Sequence, residues 1–367
     1  MQAFDFHLPV EILFGRGRIV ELGERMRASW KSVLIVTDRN VAKNTEHLDR
    51  IRALLKGRNL SLFDAVEENP SFSTVEKGRA AARELGADLI LGLGGGSPMD
   101  VAKGIAVVSA NAGTMEDYMA GESLENDPLP VVCIPTTSGT GSEVTPFAVF
   151  TDPKEESKKG FSHTGIFPVF SIIDPELTFT MPEHVIIDTG LDALTHAVEA
   201  CLSVASFPFI DMMALESVKL IIDSLHKASL KDRDAMIRMA YASMLAGAAI
   251  AHASTILLHI MGYPLTVYRG VSHGRANAAL LPAFMLFMKT RSTARDKASR
   301  IEALFGLHNG IEAYVRSLGI STRLSDYHVW ENDLQRFVQK VIVKGDVKIT
   351  PARITEEVIL GIYRSAL

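Results

Sequence analysis

The fold is decided by the stretch Ala87-Asp-Leu-Ile-Leu-Gly-Leu-Gly94-Gly-Gly-Ser97-Pro-Met-Asp100-Val-Ala-Lys-Gly-Ile-Ala-Val-Val-Ser-Ala110. Residues 87–93 form an apolar run that predicts a buried strand of the parallel-sheet kind. Residues 101–110 continue with a helical pattern, and three consecutive glycines stand between the strand and the helix. A strand that passes through glycines into a helix is typical of a βαβ unit.

The same alternation extends in both directions from this stretch. Further strands are predicted near residues 4–14, 31–38, 60–63, 129–134 and 167–174, with helical segments such as 73–85 between them. After Pro182 the strand pattern stops, and apolar residues recur at helical spacing almost to Leu367. We therefore expect an α/β domain with a Rossmann-like parallel sheet over residues 1–180 and an all-helical domain over residues 181–367.

Composition narrows the class of protein. The chain has 367 residues, of which 47% are apolar and 22% charged, as in ordinary soluble globular proteins. Its net charge of -5 offers no basic surface, so we expect no nucleic-acid partner. Cys133 and Cys201 lie in apolar segments and suggest no disulfide, and the N-terminus does not resemble a signal peptide. These features favour the cytoplasm.

One segment requires a membrane test. Residues 239–268 carry no formal charge and are long enough to span a bilayer. The segment nevertheless contains His252, His259 and Pro264, together with several serines. We expect a buried helix of a soluble domain here rather than a membrane span.

The triple glycine itself predicts a phosphate-binding loop. Because Gly95 and Gly96 lack Cβ atoms, the backbone there can approach a pyrophosphate, and the N-terminus of the next helix favours its negative charge. Pro98 suits the first helical turn. The segment is not the G-x-G-x-x-G fingerprint, since Ser97 stands where the third glycine would be. A plain turn is the alternative.

Two further positions bear on the same ligand. Thr136-Thr-Ser-Gly-Thr-Gly-Ser142 follows a strand, and ligands bind at the carboxyl ends of parallel strands, although a hydroxyl-rich connector is an equal alternative. Asp38 ends another strand, where a carboxylate can accept hydrogen bonds from ribose hydroxyls and repel a 2′-phosphate. That position favours NAD over NADP. Asp38 would also suit the cap of the next helix, and the two roles are compatible.

One aspartate and three histidines in the helical half have spacings that would suit a metal site. Asp192 and His196 stand four residues apart, so both leave one face of a helix. His259 lies in an apolar helical run, and His273 lies in Ser-His-Gly-Arg-Ala-Asn277. This mixed oxygen and nitrogen set suits Fe2+ or Zn2+ better than Ca2+ or Mg2+. Considered alone, the Asp192–His196 pair could be a surface ion pair, and His259 could be a hydrogen-bonded core histidine.

Together, these motifs resemble the iron-dependent alcohol dehydrogenases, relatives of glycerol dehydrogenase and, more distantly, of dehydroquinate synthase. The segments that carry the resemblance are residues 94–103, 135–145, 190–200 and 273–277. The resemblance covers nearly the whole chain and thins out after about residue 290.

The resemblance implies an oxidoreductase for a small alcohol or aldehyde, with the substrate between the two domains. Asp192, His196, His259 and His273 would hold a divalent metal, commonly iron and sometimes zinc. The cofactor site would include Asp38, Asn69, Gly95, Gly96, Ser97, Asp100, Thr136, Thr137, Ser142 and Lys158. Lys158 is assigned only by counting back from Ile173-Asp174, and Lys159 is the alternative.

One catalytic position departs from the family pattern. Many members carry a second histidine four residues after the third ligand, thought to pass a proton between alcohol and solvent, and this chain has Tyr263 there. A phenol has an ordinary pKa near 10 and is a poor proton relay at neutral pH. We therefore expect either a proton path through the cofactor ribose and water, or slow turnover of ordinary alcohols.

Two other functions remain open from the sequence. A lyase of the dehydroquinate-synthase kind would need several cations near the metal, whereas residues 241–277 offer only Arg269 and Arg275. A relative that binds metal or nucleotide without catalysis is the second. For assembly we expect a homodimer, in which the N-terminal strand could pair across a two-fold axis.

Overall fold

The computed structural model of the protein describes residues 3–44 and 46–367. The chain forms two compact units. One is His7–Met181, and the other is Pro182–Leu367 together with the N-terminal segment that ends at Phe6. The predicted α/β sheet followed by a helix-rich region is confirmed.

Within the described residues the chain has eight strands. They are β1 (Glu11–Phe14), β2 (Ser32–Asp38), β3 (Asn59–Val66), β4 (Leu89–Gly94), β5 (Val131–Pro135), β6 (Phe147–Asp152), β7 (Ser157–Ser162) and β8 (Phe170–Ile173). The helices of the first unit are α1 (Leu22–Arg25), α2 (Arg39–Asn44), α3 (His47–Leu54), α4 (Phe72–Leu85), α5 (Gly96–Ala110) and α6 (Met115–Met119). The helices of the second unit are α7 (Glu183–Leu202), α8 (Pro208–Ser229), α9 (Arg233–Ala253), α10 (Leu257–Arg269), α11 (His273–Arg291), α12 (Arg295–Leu304), α13 (Ile311–Ser317), α14 (Glu331–Ile342) and α15 (Glu356–Ser365).

A six-stranded sheet in the order β1-β8-β5-β4-β2-β3 forms the centre of the first unit, and its strand pairs are parallel. Alternate residues of one strand enter different cores. Leu34 and Val36 of β2 pack in one apolar cluster with side chains of α4 and α5, whereas Val33 and Ile35 pack in a second cluster with side chains of α3. Burial on both faces explains why these strands read as unbroken apolar runs.

A two-stranded antiparallel hairpin, β6–β7, was not predicted from the sequence. Phe147 pairs with Ser162 and Asp152 with Ser157, and Glu156 takes a positive φ of 46° in the connecting turn. Strand β7 reads Ser-Lys-Lys-Gly-Phe-Ser, which has little strand propensity by itself. Pairing with β6 rather than local preference therefore determines its conformation.

The N-terminal segment also differs from the predicted strand over residues 4–14. Strand β1 starts only at Glu11. Phe4 stacks on Phe207 with ring centroids 4.4 Å apart, and Phe6 stacks on His252 at 4.3 Å. Phe4 and Phe6 therefore pack with the helical unit, although the predicted α/β domain of residues 1–180 had included them.

Helix α7 is the most deeply buried long helix among the described residues of the second unit. Every one of its residues from Gly190 to Leu202 is buried. The uncharged segment of the sequence falls in α9 and α10. In the described chain no helix alone is long and apolar enough to cross a membrane. Only α9 and α10 taken together meet that test, and they are bent by 110° to each other.

Candidate active site

Helix α7 brings together three of the four predicted metal ligands. Asp192 and His196 lie one turn apart on its buried face, and His259 reaches them from the first turn of α10. Each residue offers one ligand atom, and these atoms all lie within 4.8 Å of one another. The rings of His196 and His259 stack with centroids 4.4 Å apart.

The chemistry of this cluster fits a divalent cation. Asp192 Oδ1 and His259 Nε2 are both buried and have no hydrogen-bond partner among the described residues, yet they lie 3.6 Å apart. That distance is too long for a hydrogen bond. Two tetrahedral ligands each about 2.1 Å from one ion are about 3.4 Å apart, which is close to the observed separation.

The charges of the cluster point the same way. Burial acts to raise the pKa of Asp192, but His196, His273 and His259 together hold it well below its ordinary value. Burial acts to lower the pKa of His259, but Glu199 and Asp192 raise it to about 10. The site therefore favours positive charge next to Asp192. A divalent cation would displace the proton of His259 on binding.

His273, the fourth predicted ligand, lies at the edge of the cluster. Its Nε2 is 3.7 Å from Asp192 Oδ1, and it is the first residue of α11. Asn277 Nδ2 lies 3.3 Å from the same nitrogen. Tyr263 is on α10, and its ring centroid is 5.4 Å from that of His273. The predicted relay position thus lies beside the predicted ligands.

Two carboxylates of α7 were not among the predicted site residues. Glu199 accepts hydrogen bonds from the start of α10, and Asp188 accepts them from the start of α11. Glu199 follows Asp192 by seven residues and Asp188 precedes it by four, so helical spacing was the available signal. That spacing does not predict their partners, because His259 lies 60 residues after Glu199 and Ser272 lies 84 residues after Asp188.

The predicted dinucleotide loops lie at the switch point of the parallel sheet. From β2 the chain moves outward to β3, then returns to the other side of β2 with β4 and continues to β5. Ligands bind outside the carboxyl ends of the strands where the order reverses. Asp38 ends β2, Gly94 ends β4 and Pro135 ends β5, so the three predicted segments adjoin at this edge.

Close approach to threonine side chains explains the second and third glycines of the triple. Gly95 caps α5 and Gly96 is its first residue. A Cβ on Gly96 would lie 2.7 Å from Thr140 Cγ2, and one on Gly95 would lie 3.3 Å from Thr137 Oγ1. The glycines therefore let the N-terminus of α5, with half-buried Ser97, approach the loop that contains Thr136 and Thr137.

Asp38 has the capping role that the sequence allowed. Its Oδ1 accepts a hydrogen bond of 2.9 Å from the backbone N–H of Val41 in α2. Its other oxygen lies 3.4 Å from the position of a Cβ on Gly94, so the carboxylate adjoins the glycine loop. Asn69 follows β3 with a φ of 54°, and its carbonyl oxygen accepts from Thr151 Oγ1.

Asp100 and Ser142 are engaged in an internal network. Ser142 Oγ donates to Asp100 Oδ1 at 2.7 Å, and Asp100 Oδ2 accepts from the Val149 N–H. Buried Lys103 donates to the carbonyl oxygens of Ser142, Thr145 and Phe147 at 2.7 to 2.9 Å. The network fixes the course of the loop after β5.

The lysine assignment separates two neighbours. Lys158 is buried on β7, and its positive charge, with that of Lys103, opposes the rise that burial causes in the pKa of Asp100. Lys159 instead pairs with Asp152 at 2.8 Å and Glu155 at 3.0 Å. Lys159 is therefore occupied within its own hairpin.

Comparison with known proteins gives the same assignment for both halves. The family described as iron-containing alcohol dehydrogenase matches residues 9–175, and its C-terminal counterpart matches residues 186–367. The chain is 32% identical to alcohol dehydrogenase 4 of Schizosaccharomyces pombe, over 100% of this chain and 90% of that protein. It is also 32% identical to the NAD-dependent methanol dehydrogenase of Bacillus methanolicus, over 99% and 100% of the two chains.

Solved structures agree. The crystal structure of an iron-containing alcohol dehydrogenase from Thermotoga maritima superposes with a TM-score of 0.90 and 37% identity, covering 100% of this chain and 99% of that one. The chain belongs to the iron-containing alcohol dehydrogenase family. It is accordingly an oxidoreductase that acts on CH–OH groups.

Proposed function

We propose that the protein interconverts a small alcohol and its aldehyde using NAD(H) and Fe2+, with Asp192, His196, His259 and His273 as the metal ligands. The observation that carries the metal assignment is the buried pair of Asp192 Oδ1 and His259 Nε2, which face each other at 3.6 Å without a hydrogen bond. Iron rather than zinc is proposed from the family, because this ligand set accommodates both.

The side chains around the cluster have distinct tasks. When bound, the metal supplies Lewis acidity towards the substrate oxygen, and the nicotinamide supplies or accepts the hydride. Asp192 provides the buried negative charge that offsets a cation. Glu199 accepts a hydrogen bond from Nδ1–H of His259, which leaves Nε2 as the ligand atom. Tyr263 stands at the relay position with a hydroxyl instead of an imidazole.

The cofactor is proposed to be NAD rather than NADP. Asp38 supports this choice, since its carboxylate adjoins the glycine loop at the switch point and would repel a 2′-phosphate. The name of the Bacillus methanolicus relative, an NAD-dependent enzyme, is consistent with it. The proposed cofactor contacts are those predicted from the sequence, including Lys158, whereas Asp100 and Ser142 act by holding the loop after β5.

The proposal extends to assembly and location. A cytoplasmic enzyme is supported by the two buried free thiols, Cys133 and Cys201, which suit a reducing compartment. A homodimer is proposed because it is the commonest homo-oligomer. Light scattering on the purified protein tests the dimer, which is wrong if the mass is that of one chain or of more than two.

An anaerobic reconstitution tests the function. Chelator-treated protein is supplied with Fe2+ or Zn2+ and assayed with NADH and NADPH on a panel of short aldehydes. We expect activity only with metal, and preferentially with Fe2+ and NADH. Asp192→Asn and His259→Ala should lose metal and activity together, whereas exposed His226→Ala should keep both. Full metal content and unchanged activity in the first two variants would contradict the ligand assignment.

A further inference from the structure

One face of α7 organises the whole proposed metal site. At about 100° per residue, four of its polar side chains fall within an arc of about 80°. Along the helix axis, the middle two are proposed metal ligands, and the other two lie about one turn before and one turn after them. In chain order the four are Asp188, Asp192, His196 and Glu199.

Glu199 holds the start of α10. It is completely buried, and its Oε1 accepts the backbone N–H groups of Ile256 at 2.9 Å and His259 at 3.2 Å. Ile256 is the N-cap residue of α10 and makes no side-chain cap. A helix N-terminus leaves its first N–H groups without helical partners, so Glu199 satisfies two that would otherwise be buried without an acceptor.

The same carboxylate orients the ligand ring. Glu199 Oε2 accepts a hydrogen bond from His259 Nδ1, while Nε2 of that ring faces Asp192 Oδ1. Main chain and ring of His259 are therefore both held by one side chain. Ser254, in the link that leads into α10, has a φ of 58°, which is unfavourable for a residue with a Cβ and requires support from surrounding contacts.

Asp188 holds the start of α11 in the same manner. Its Oδ2 accepts from Ser272 Oγ at 2.5 Å, and its Oδ1 accepts from Arg275 Nη2 at 3.0 Å and Nε at 3.2 Å. These partners flank His273. A Cβ on Gly274 would lie 1.9 Å from the carbonyl oxygen of Asp188, so the two backbones are in direct contact there.

We propose that Asp188 and Glu199 are positioning residues. Asp188 fixes α11 on α7, and Glu199 fixes α10 on α7. They thereby set the distances from His273 and His259 to the proposed ligands Asp192 and His196. This proposal rests on the proposed function, because it presumes that these four residues hold a metal. Its physical basis is separate: each outer carboxylate accepts hydrogen bonds from the residues around one distant histidine.

Metal affinity measured by chelator competition tests the proposal. Glu199→Gln keeps the shape of the side chain but removes the charge and one acceptor, so we expect Co2+ or Zn2+ to bind 10- to 100-fold more weakly. The visible absorption bands of the Co2+ protein should also shift, since they report ligand geometry. Asp188→Asn should weaken binding in the same direction. Glu183→Gln, exposed on the first turn of the same helix, is the matched control and should bind as wild type.

Asp192→Asn separates this inference from the proposed function. If Asp192→Asn loses the metal while Glu199→Gln and Asp188→Asn bind within twofold of wild type with an unchanged Co2+ spectrum, the positioning role is wrong and the metal site stands. If Asp192→Asn also binds normally, the metal site itself is wrong. Far-ultraviolet circular dichroism identifies any variant that fails to fold. If Glu199→Gln or Asp188→Asn fails to fold, Glu199→Asp or Asp188→Glu takes its place. Weakened metal binding and a shifted Co2+ spectrum are again expected.

Discussion

Glu143 makes the stability of the α/β unit depend on pH in a way that one substitution should remove. The residue is buried in the loop after β5, and burial raises the pKa of its carboxyl from 4.5 to about 7, against the opposing charge of Lys103. Between these two pH values the folded protein holds a proton that the unfolded chain releases. The stabilisation is therefore complete below pH 4.5 and is lost as the pH rises to about 7.

The size of the effect follows from the two pKa values. They differ by about 2.5, and each pKa unit corresponds to about 1.36 kcal/mol, so the loss amounts to about 3 kcal/mol. Glu143→Gln replaces the carboxyl by an amide that does not titrate. We expect the free energy of unfolding of the variant, relative to wild type, to rise by about 3 kcal/mol between pH 4.5 and pH 7.5.

Urea unfolding followed by tryptophan fluorescence measures this difference. Trp30 lies in the α/β unit and Trp330 in the helical unit, so a Trp330→Phe background makes the signal report the first unit. Glu84→Gln, an exposed carboxylate of the same unit, is the control and should show no such rise. A difference between Glu143→Gln and wild type that stays constant with pH, or falls as the pH rises, would refute the reasoning.

Three further predictions concern the cofactor and the proton. Asp38→Asn keeps a capping oxygen but removes the charge, so the ratio of kcat/KM with NADP to kcat/KM with NAD should rise about tenfold, or about 1.4 kcal/mol. If this ratio is unchanged, Asp38 has no part in cofactor selection. Gly96→Ala places a Cβ 2.7 Å from Thr140 Cγ2 and should weaken NAD binding about tenfold in a fluorescence titration. Gly160→Ala, which has open space around the new Cβ, is the control and should bind NAD as wild type. Equal NAD affinities of Gly96→Ala and wild type would contradict the loop assignment. Tyr263→His should increase kcat and add a titration near pH 6.5 to the pH–rate profile, and an unaltered profile excludes a relay at this position.

Local patterns sufficed for much of the fold. Strands β2 and β4 were predictable because burial on both faces makes them apolar runs, and the glycines after β4 mark where helix and loop must approach closely. Strand β7 was not predictable, since its residues become a strand only through pairing with β6. The packing of Phe4 and Phe6 on the helical unit likewise depends on residues more than 200 positions away.

The same division applies to the candidate site. The spacing of Asp192 and His196 predicts a shared helix face, and His259 joins them as the family resemblance implied. Glu199 stands in the same motif, but its task depends on the start of a helix 57 residues later. Asp100 was assigned to the cofactor site, and the structure shows its two oxygens bound to Ser142 and Val149. Periodicity identifies the face on which a side chain lies, whereas its partner emerges only from tertiary packing.

The most direct test of the central claim is an anomalous difference map at the iron absorption edge, from crystals grown anaerobically with Fe2+. We expect one strong peak within about 2.3 Å of Asp192 Oδ1, His259 Nε2 and a ring nitrogen of His196, with His273 as the fourth ligand. A peak elsewhere in the chain, or none at this cluster in protein that is active with Fe2+, would contradict the account.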